Sequence, residues 1–347
     1  MRTSSKLIVF AALALASASA QAAGDPLFAD DTTVDVTLTA PFYTLVRKRP
    51  REEYLPGSFK YTDSDGNEVE LYVGVRTRGH FRHQTCDFPP LRLNFKKSKT
   101  KGTLLEGQDK VKLVVHCDNS SRYEQGILRE YLAYRVLNLF TDQSFRVRLL
   151  RVTYVDSEER RKPQTRYAFF IEHKSRLAKR IGQPPLLIEE TDVRALESAH
   201  LNLTSVFQFF IANTDFSPIA GPPDSICCHN YVLFGEEGKP ITAIPYDFDQ
   251  SGFVDAPYAA PDARFRIRTV SQRLYRGRCM NNDEMANSIE AFREKRAEIE
   301  ALINNQEGAT EGTRKRLLKF IERYYAMTST PEIVERRLAR DCTGPPS

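Results

Sequence analysis

Three polar groups, separated by apolar segments, carry side chains suited to phosphate chemistry. Asn213-Thr214-Asp215 follows one apolar stretch, His229-Asn230 opens a second, and Asp247-Phe248-Asp249 follows a third. Mg²⁺ takes such oxygen donors, usually one or two carboxylates completed by phosphate. In phosphoryl transfer one Asp accepts the proton of the attacking hydroxyl, while an Asn and another Asp hold metal on the phosphates. The same residues read equally as turn and loop carboxylates, since Asp and Asn favour such positions. A second cluster is basic: Arg76, Arg78, Arg82 and Arg92 with His80 and His83. Guanidinium groups present planar donors to phosphate oxygens; the plainer alternative is a solvated strand face. Glu130 is either a partner for one of these arginines or an exposed helix residue on the face of Tyr134.

The elements that must position these residues follow from periodicity. Apolar–polar alternation predicts strands at 34–39 and 69–76, with a turn at 62–67 between them, and further strands at 91–95 and 111–116. Helical spacing predicts a long helix over 122–140. Strands return at 146–155 and 167–171. Asp192 is placed as the cap of a helix running to about 212. Short strands at 230–234 and 241–246 form a hairpin, and helices at 283–304, 313–327 and 331–339 close the chain. The order is a sheet lobe holding one long helix, residues 24–190, then a mostly helical lobe holding one hairpin, residues 191–347. Two such lobes meet in a cleft.

Arg2 and Lys6 precede an apolar run and then Ala-rich cleavage sites, so residues 1–23 read as a secretory signal peptide. No later apolar run reaches the ~20 residues needed to span a bilayer. A secreted or periplasmic location follows, and Cys86, Cys117, Cys227, Cys228, Cys279 and Cys342 then read as disulfide formers rather than a zinc site. Cys86–Cys117 is the expected local bridge. Cys227 and Cys228, being adjacent, are expected to reach Cys279 and Cys342 separately. With 347 residues, 27% charged and a formal charge of +5, the chain is an ordinary globular one. That excess is too small to indicate nucleic acid.

At the acidic groups the sequence resembles the CotH-like (spore coat protein H type) atypical kinases. Ile244-Pro245-Tyr246-Asp247-Phe248-Asp249-Gln250-Ser251-Gly252 is similar to their PWDxD signature. Asn213-Thr214-Asp215 and His229-Asn230-Tyr231 match the family's upstream Asp and HN(Y) segment in order. Val75-Arg76-Thr77-Arg78-Gly79-His80 resembles its xxRxRGxS turn, and Leu91-Arg92-Leu93-Asn94-Phe95 its yRLKf strand. Leu128-Arg129-Glu130-Tyr131-Leu132-Ala133-Tyr134 resembles the lRnxlAY helix. Residues 167–172 resemble the GxYxlxE strand. Phe88-Pro89-Pro90 stands where the family usually carries Lys-Lys, so the phosphate-holding lysine is missing there.

The resemblance implies an α+β, bilobal, atypical protein-kinase-like fold. By it, Asp215 is the catalytic Asp, and Asn230, Asp247 and Asp249 are the metal-binding residues. Arg78, Gly79, Arg92, Glu130 and Glu172 would contact the nucleotide; Arg92, Lys96 or Arg78 is the candidate replacement for the lysine, with Arg92 and the Arg78-Gly79 turn expected to face the same cleft. ATP and Mg²⁺ or Mn²⁺ are the implied cofactors, and a protein or envelope hydroxyl the acceptor. A kinase-fold binding protein without catalysis is the alternative; hydrolysis of a phosphoester by the same carboxylates is a third reading.

Overall fold

A computed structural model describes residues 25–222, 226–236 and 238–344. The leader assignment, residues 1–23, lies outside them. The architecture is α+β. The strands β1 (Val34–Ala40), β2 (Leu55–Thr62), β3 (Glu68–Thr77), β4 (Leu91–Phe95), β5 (Lys110–Val114), β6 (Val147–Asp156) and β7 (Gln164–Ile171) close into a barrel. Its order is β1-β2-β3-β4-β5-β7-β6. Every pair is antiparallel except the β1–β6 seam, which is parallel. The antiparallel sheet expected from sequence is thus closed on itself. It also contains β2, a strand that sequence missed because Pro56 and Gly57 break its alternation.

Alternation explains the packing. Leu38, Val73, Leu93, Leu113, Leu150 and Phe170 fill the barrel. On β6 and β7 the intervening residues Leu149, Phe169 and Ile171 face outward into a second core. There they meet α3 (Ser121–Asn138) through Leu128, Leu132 and Val136. Short helices α1 (Phe42–Lys48), α2 (Phe81–Thr85) and α4 (Lys174–Ile181) decorate the barrel. The second core continues through α5 (Ser198–Phe210) to α6 (Met285–Glu294), α7 (Arg296–Asn305), α8 (Glu311–Met327) and α9 (Pro331–Arg337). The hairpin β8 (Tyr231–Phe234) and β9 (Thr242–Pro245) packs on α5.

Helix α5 starts later than expected. Asp192 caps only a single 3-10 turn, accepting from the Arg194 N–H at 2.8 Å. Leu196 is then extended and bridges Ile241, so Glu197 becomes the cap of α5. The helix expected at 283–304 is two, α6 and α7, divided at Lys295.

The disulfides are Cys86–Cys117, Cys279–Cys342 and Cys227–Cys228. The first is the expected one; the other two correct the expectation. Residues 277–279 and 343 run side by side, with the Thr343 N–H donating to Gly277 O at 2.8 Å. That pairing aligns Cys279 with Cys342 and leaves the adjacent cysteines to each other. Among the described residues no helix is long and apolar enough to cross a membrane.

Candidate functional site

The last turn of α5 is anchored by Phe207, Phe209 and Phe210, all buried. Past it, the Asn213 carboxamide accepts from the Asp215 N–H at 3.0 Å. Arg276 holds the same loop from outside, donating to Thr214 O at 2.6 Å and Phe216 O at 2.7 Å. Asp215 is therefore fixed on both sides yet one-third exposed. Its Oδ1 lies 2.6 Å from His229 Nε2, and Asn230 Nδ2 donates to its Oδ2 at 3.0 Å and its carbonyl at 2.7 Å. The bond to Asp215 raises the His229 pKa.

The hairpin joins Asp215 to the acidic pair. Asn230 precedes β8 and its carbonyl accepts from the Tyr246 N–H at 3.0 Å, just before Asp247. Asn230 and Asp247 both adopt the left-handed region, φ 55° and 63°, where Asn and Asp are the least disfavoured side chains. The Asp247 N–H donates to the buried Tyr134 hydroxyl at 2.8 Å, which ties the turn to α3. Phe248 packs between Tyr134 and Phe207, at centroid distances of 4.6 and 5.2 Å. Asp249 is buried and accepts from the Tyr258 hydroxyl at 2.9 Å. Burial, then the charge of Asp247, pushes its carboxyl up to about 7. Glu130, also buried, lies 3.7 Å from Arg82, and desolvation raises its pKa well above the ordinary range. The partner reading of Glu130 is the one the structure adopts.

The barrel carries a row of cations whose members Arg78 and Lys112 interact with Asp247. Arg76, Arg92 and Lys112 are directly cross-strand neighbours on β3, β4 and β5. Their chain neighbours Val75, Leu91, Leu93, Val111 and Leu113 point into the barrel, so the three basic side chains share the outer face. Arg78 follows at the end of β3, before Gly79 with φ 88°, a conformation that favours glycine. Among the described residues Arg76, Arg78, Arg92 and Lys112 make no ion pair. Arg76 leans on the Tyr54 ring at 5.0 Å, and Lys112 lies 4.9 Å from the Tyr246 ring centre. Burial and the charge of Arg78 push the Lys112 ammonium down to about 7, with Asp247 opposing. Burial likewise lowers the Arg78 pKa, again against Asp247. Like charges directly opposite across strands are destabilising, so the row carries a repulsion that an anion placed against it would relieve.

No protein-family model matches the chain, and no curated protein matches it. The CotH-like resemblance therefore rests on the motif residues themselves.

The structure brings together Asp215, Asn230, Asp247 and Asp249 through contiguous contacts, with Arg78 and Lys112 in electrostatic contact with Asp247. Arg92 is the central member of the cationic row, and Glu130 reaches the group through Arg82. Glu172 is placed differently. Its two oxygens take the Arg180 guanidinium at 3.1 and 2.8 Å and the Arg146 N–H at 3.1 Å. Sequence missed Lys112, whose signal was its outward position in the alternating run Lys110-Val111-Lys112-Leu113. It also missed Tyr134, Tyr258 and Arg276 as supports.

Among the described residues no group of three or more His, Cys, Asp or Glu is arranged to hold a metal by protein ligands alone. Mg²⁺ bound with phosphate needs fewer. The Asp247 carboxylate and Asn230 Oδ1 accept no hydrogen bond from any described residue, so both are free to face a cation. That donor set fits such an ion. Two hollows elsewhere, about 740 Å³ between Asp30 and Asp63 and about 940 Å³ beside Ile241, contain none of these residues.

Proposed function

We propose that this protein is an exported, kinase-like phosphotransferase that moves the terminal phosphate of a nucleotide to a hydroxyl acceptor. The observation that carries this reading is that Arg78 and Lys112, without ion-pair partners among the described residues and with Arg92 beside Lys112, interact with the free carboxylate of Asp247 next to the Asp215–Asn230 pair. The two-lobed kinase-like arrangement and the division near residue 190 belong to the same proposal, as do ATP and Mg²⁺. The motif resemblance supports it, and the disulfides suit a location outside the cytoplasm.

In this reading Arg78, Arg92 and Lys112 bind the phosphate oxygens and turn the terminal phosphorus toward Asp215. Asp247 and Asn230 would hold Mg²⁺, with Asp249 next to them; the ion, when bound, neutralises charge on the phosphates. Asp215 accepts the proton of the acceptor hydroxyl as its oxygen bonds to phosphorus. The bond from phosphorus to the bridging oxygen breaks, and the nucleoside diphosphate leaves. Charge-assisted hydrogen bonds from the cationic row stabilise the departing oxygens.

The binding-only reading has its own support: both Asp215 oxygens are occupied, one by His229 and one by Asn230. A thermal-shift titration with ATP and Mg²⁺, followed by radiolabelled transfer to a mixed acceptor panel, separates the readings. A shift that requires both ligands and is lost in Asp247→Ala, with label transferred, is the expected result. The same shift without transfer favours binding alone. Absence of a shift with ATP, GTP, Mg²⁺ and Mn²⁺ removes the nucleotide reading altogether.

A further inference from the structure

Beside Asp215 runs a second basic feature that nucleotide binding does not use. The segment 262–268 reads Asp-Ala-Arg-Phe-Arg-Ile-Arg, and burial alternates along it. Arg264, Arg266 and Arg268 are exposed, while Phe265 and Ile267 are half-buried. Among the described residues Arg264 pairs only with its neighbour Asp262, an exposed contact of the kind that contributes little. Among the described residues Arg266 and Arg268 form no ion pair.

The segment is held against the candidate site at both ends. Arg276, which clamps the Asp215 loop, stacks on Phe265 at 4.5 Å and on Phe216 at 4.7 Å. At the far end, Val270 O and Ser271 pack so closely on Gly252 that a Cβ there would lie 2.4 Å from the Val270 carbonyl. Gly252 closes the turn that carries Asp247 and Asp249. Arg264 thus lies near Asp215, its charge felt by both Asp215 and His229, and the exposed Arg266 and Arg268 continue the strip away from it.

We propose that this strip docks an acidic polypeptide segment, so that the acceptor is a Ser, Thr or Tyr flanked by Asp and Glu; this rests on the phosphotransfer reading above. Exposed arginines without carboxylate partners select an anionic ligand and speed its encounter. Nucleic acid is disfavoured by the formal charge of only +5 and by the absence of exposed aromatic rings in 262–268 on which bases would stack.

The test is fluorescence anisotropy with labelled twelve-residue peptides carrying one Ser among Asp/Glu, among Gly/Gln, or among Lys/Arg. The full chain should bind the acidic peptide best, with an affinity that falls as salt rises. The double variant Arg266→Glu/Arg268→Glu should weaken it about tenfold, while the ATP–Mg²⁺ thermal shift is unchanged. Equal binding of acidic and neutral peptides, an unaffected double variant, or preference for anionic lipid vesicles over the acidic peptide would overturn the proposal. Acidic-peptide binding without phosphate transfer from any nucleotide would leave the docking strip standing and remove the phosphotransfer reading instead.

Discussion

Burial and the neighbouring guanidinium of Arg78 hold the Lys112 ammonium at about 7, against an ordinary value near 10.5. The folded value lies below the unfolded one, so between about 7 and 10.5 the unfolded chain binds more protons. The contribution of Lys112 to stability therefore grows as pH rises through that window. An anion beside Lys112 favours the charged form, so if nucleotide binds as proposed, its binding at pH 8 should take up a proton. Calorimetry in two buffers of different ionisation enthalpy reads that uptake. Lys112→Met should abolish it and weaken affinity by about 10- to 100-fold, the loss of a charged hydrogen bond. Asp249 has the opposite sign. Its folded value of about 7 exceeds the ordinary 3.8, so between those values the folded state binds more protons and stability falls as pH rises. Asp249→Asn should stabilise the ligand-free protein at pH 8 by on the order of a few kcal/mol, with the gain vanishing near pH 4. Urea midpoints at the two pH values decide it.

At the scale of elements, α3 controls the Asp247 turn through a single hydroxyl. Tyr134→Phe keeps the ring between Phe169 and Phe248 but leaves the Asp247 N–H without its partner. A loss of about 1 kcal/mol is expected, with weaker ATP–Mg²⁺ binding if the proposal holds, because an unmatched, partly buried donor loses its hydrogen bond. A urea midpoint unchanged from the parent protein would show that the turn holds itself. Much of this layer is legible from sequence: β4 alternates cleanly, α3 keeps its apolar face, and Asp63 sits in a turn between β2 and β3 where turn residues cluster. Other parts leave no local trace. β2 is broken by Pro56-Gly57, and α5 begins at Ser198 because Leu196 is drawn into a bridge with Ile241. Lys112 sits in a readable strand, yet only the register places it beside Arg92. The acidic group was legible because its residues flank one hairpin; of the basic row, Arg76, Arg78 and Arg92 were legible as a cluster, but Lys112 was not, because only the β4–β5 register sets it beside Arg92.

Across the whole molecule, covalent links and the barrel seam fix how far the parts can move. Cys86–Cys117 ties α2, which carries Arg82, to the segment between β5 and α3, across a sequence separation of 31. Replacing both cysteines by Ser should cost about 3–4 kcal/mol by loop-closure entropy, read as a lower denaturant midpoint. A midpoint equal to the parent's would mean that the Arg82–Glu130 contact and the strand pairs hold the region unaided. The seam has a different consequence, one of timing. Val34 of β1 aligns with Leu150 of β6 in the parallel pair that closes the barrel. At a synthesis rate of roughly 5–20 residues per second, that partner emerges roughly 6–23 s after β1. Until then β1 pairs only with β2, and its other edge stands open, the kind of surface that templates unwanted pairing. The barrel therefore cannot close until Ile171, the end of β7 and about half-way along the chain, has been made.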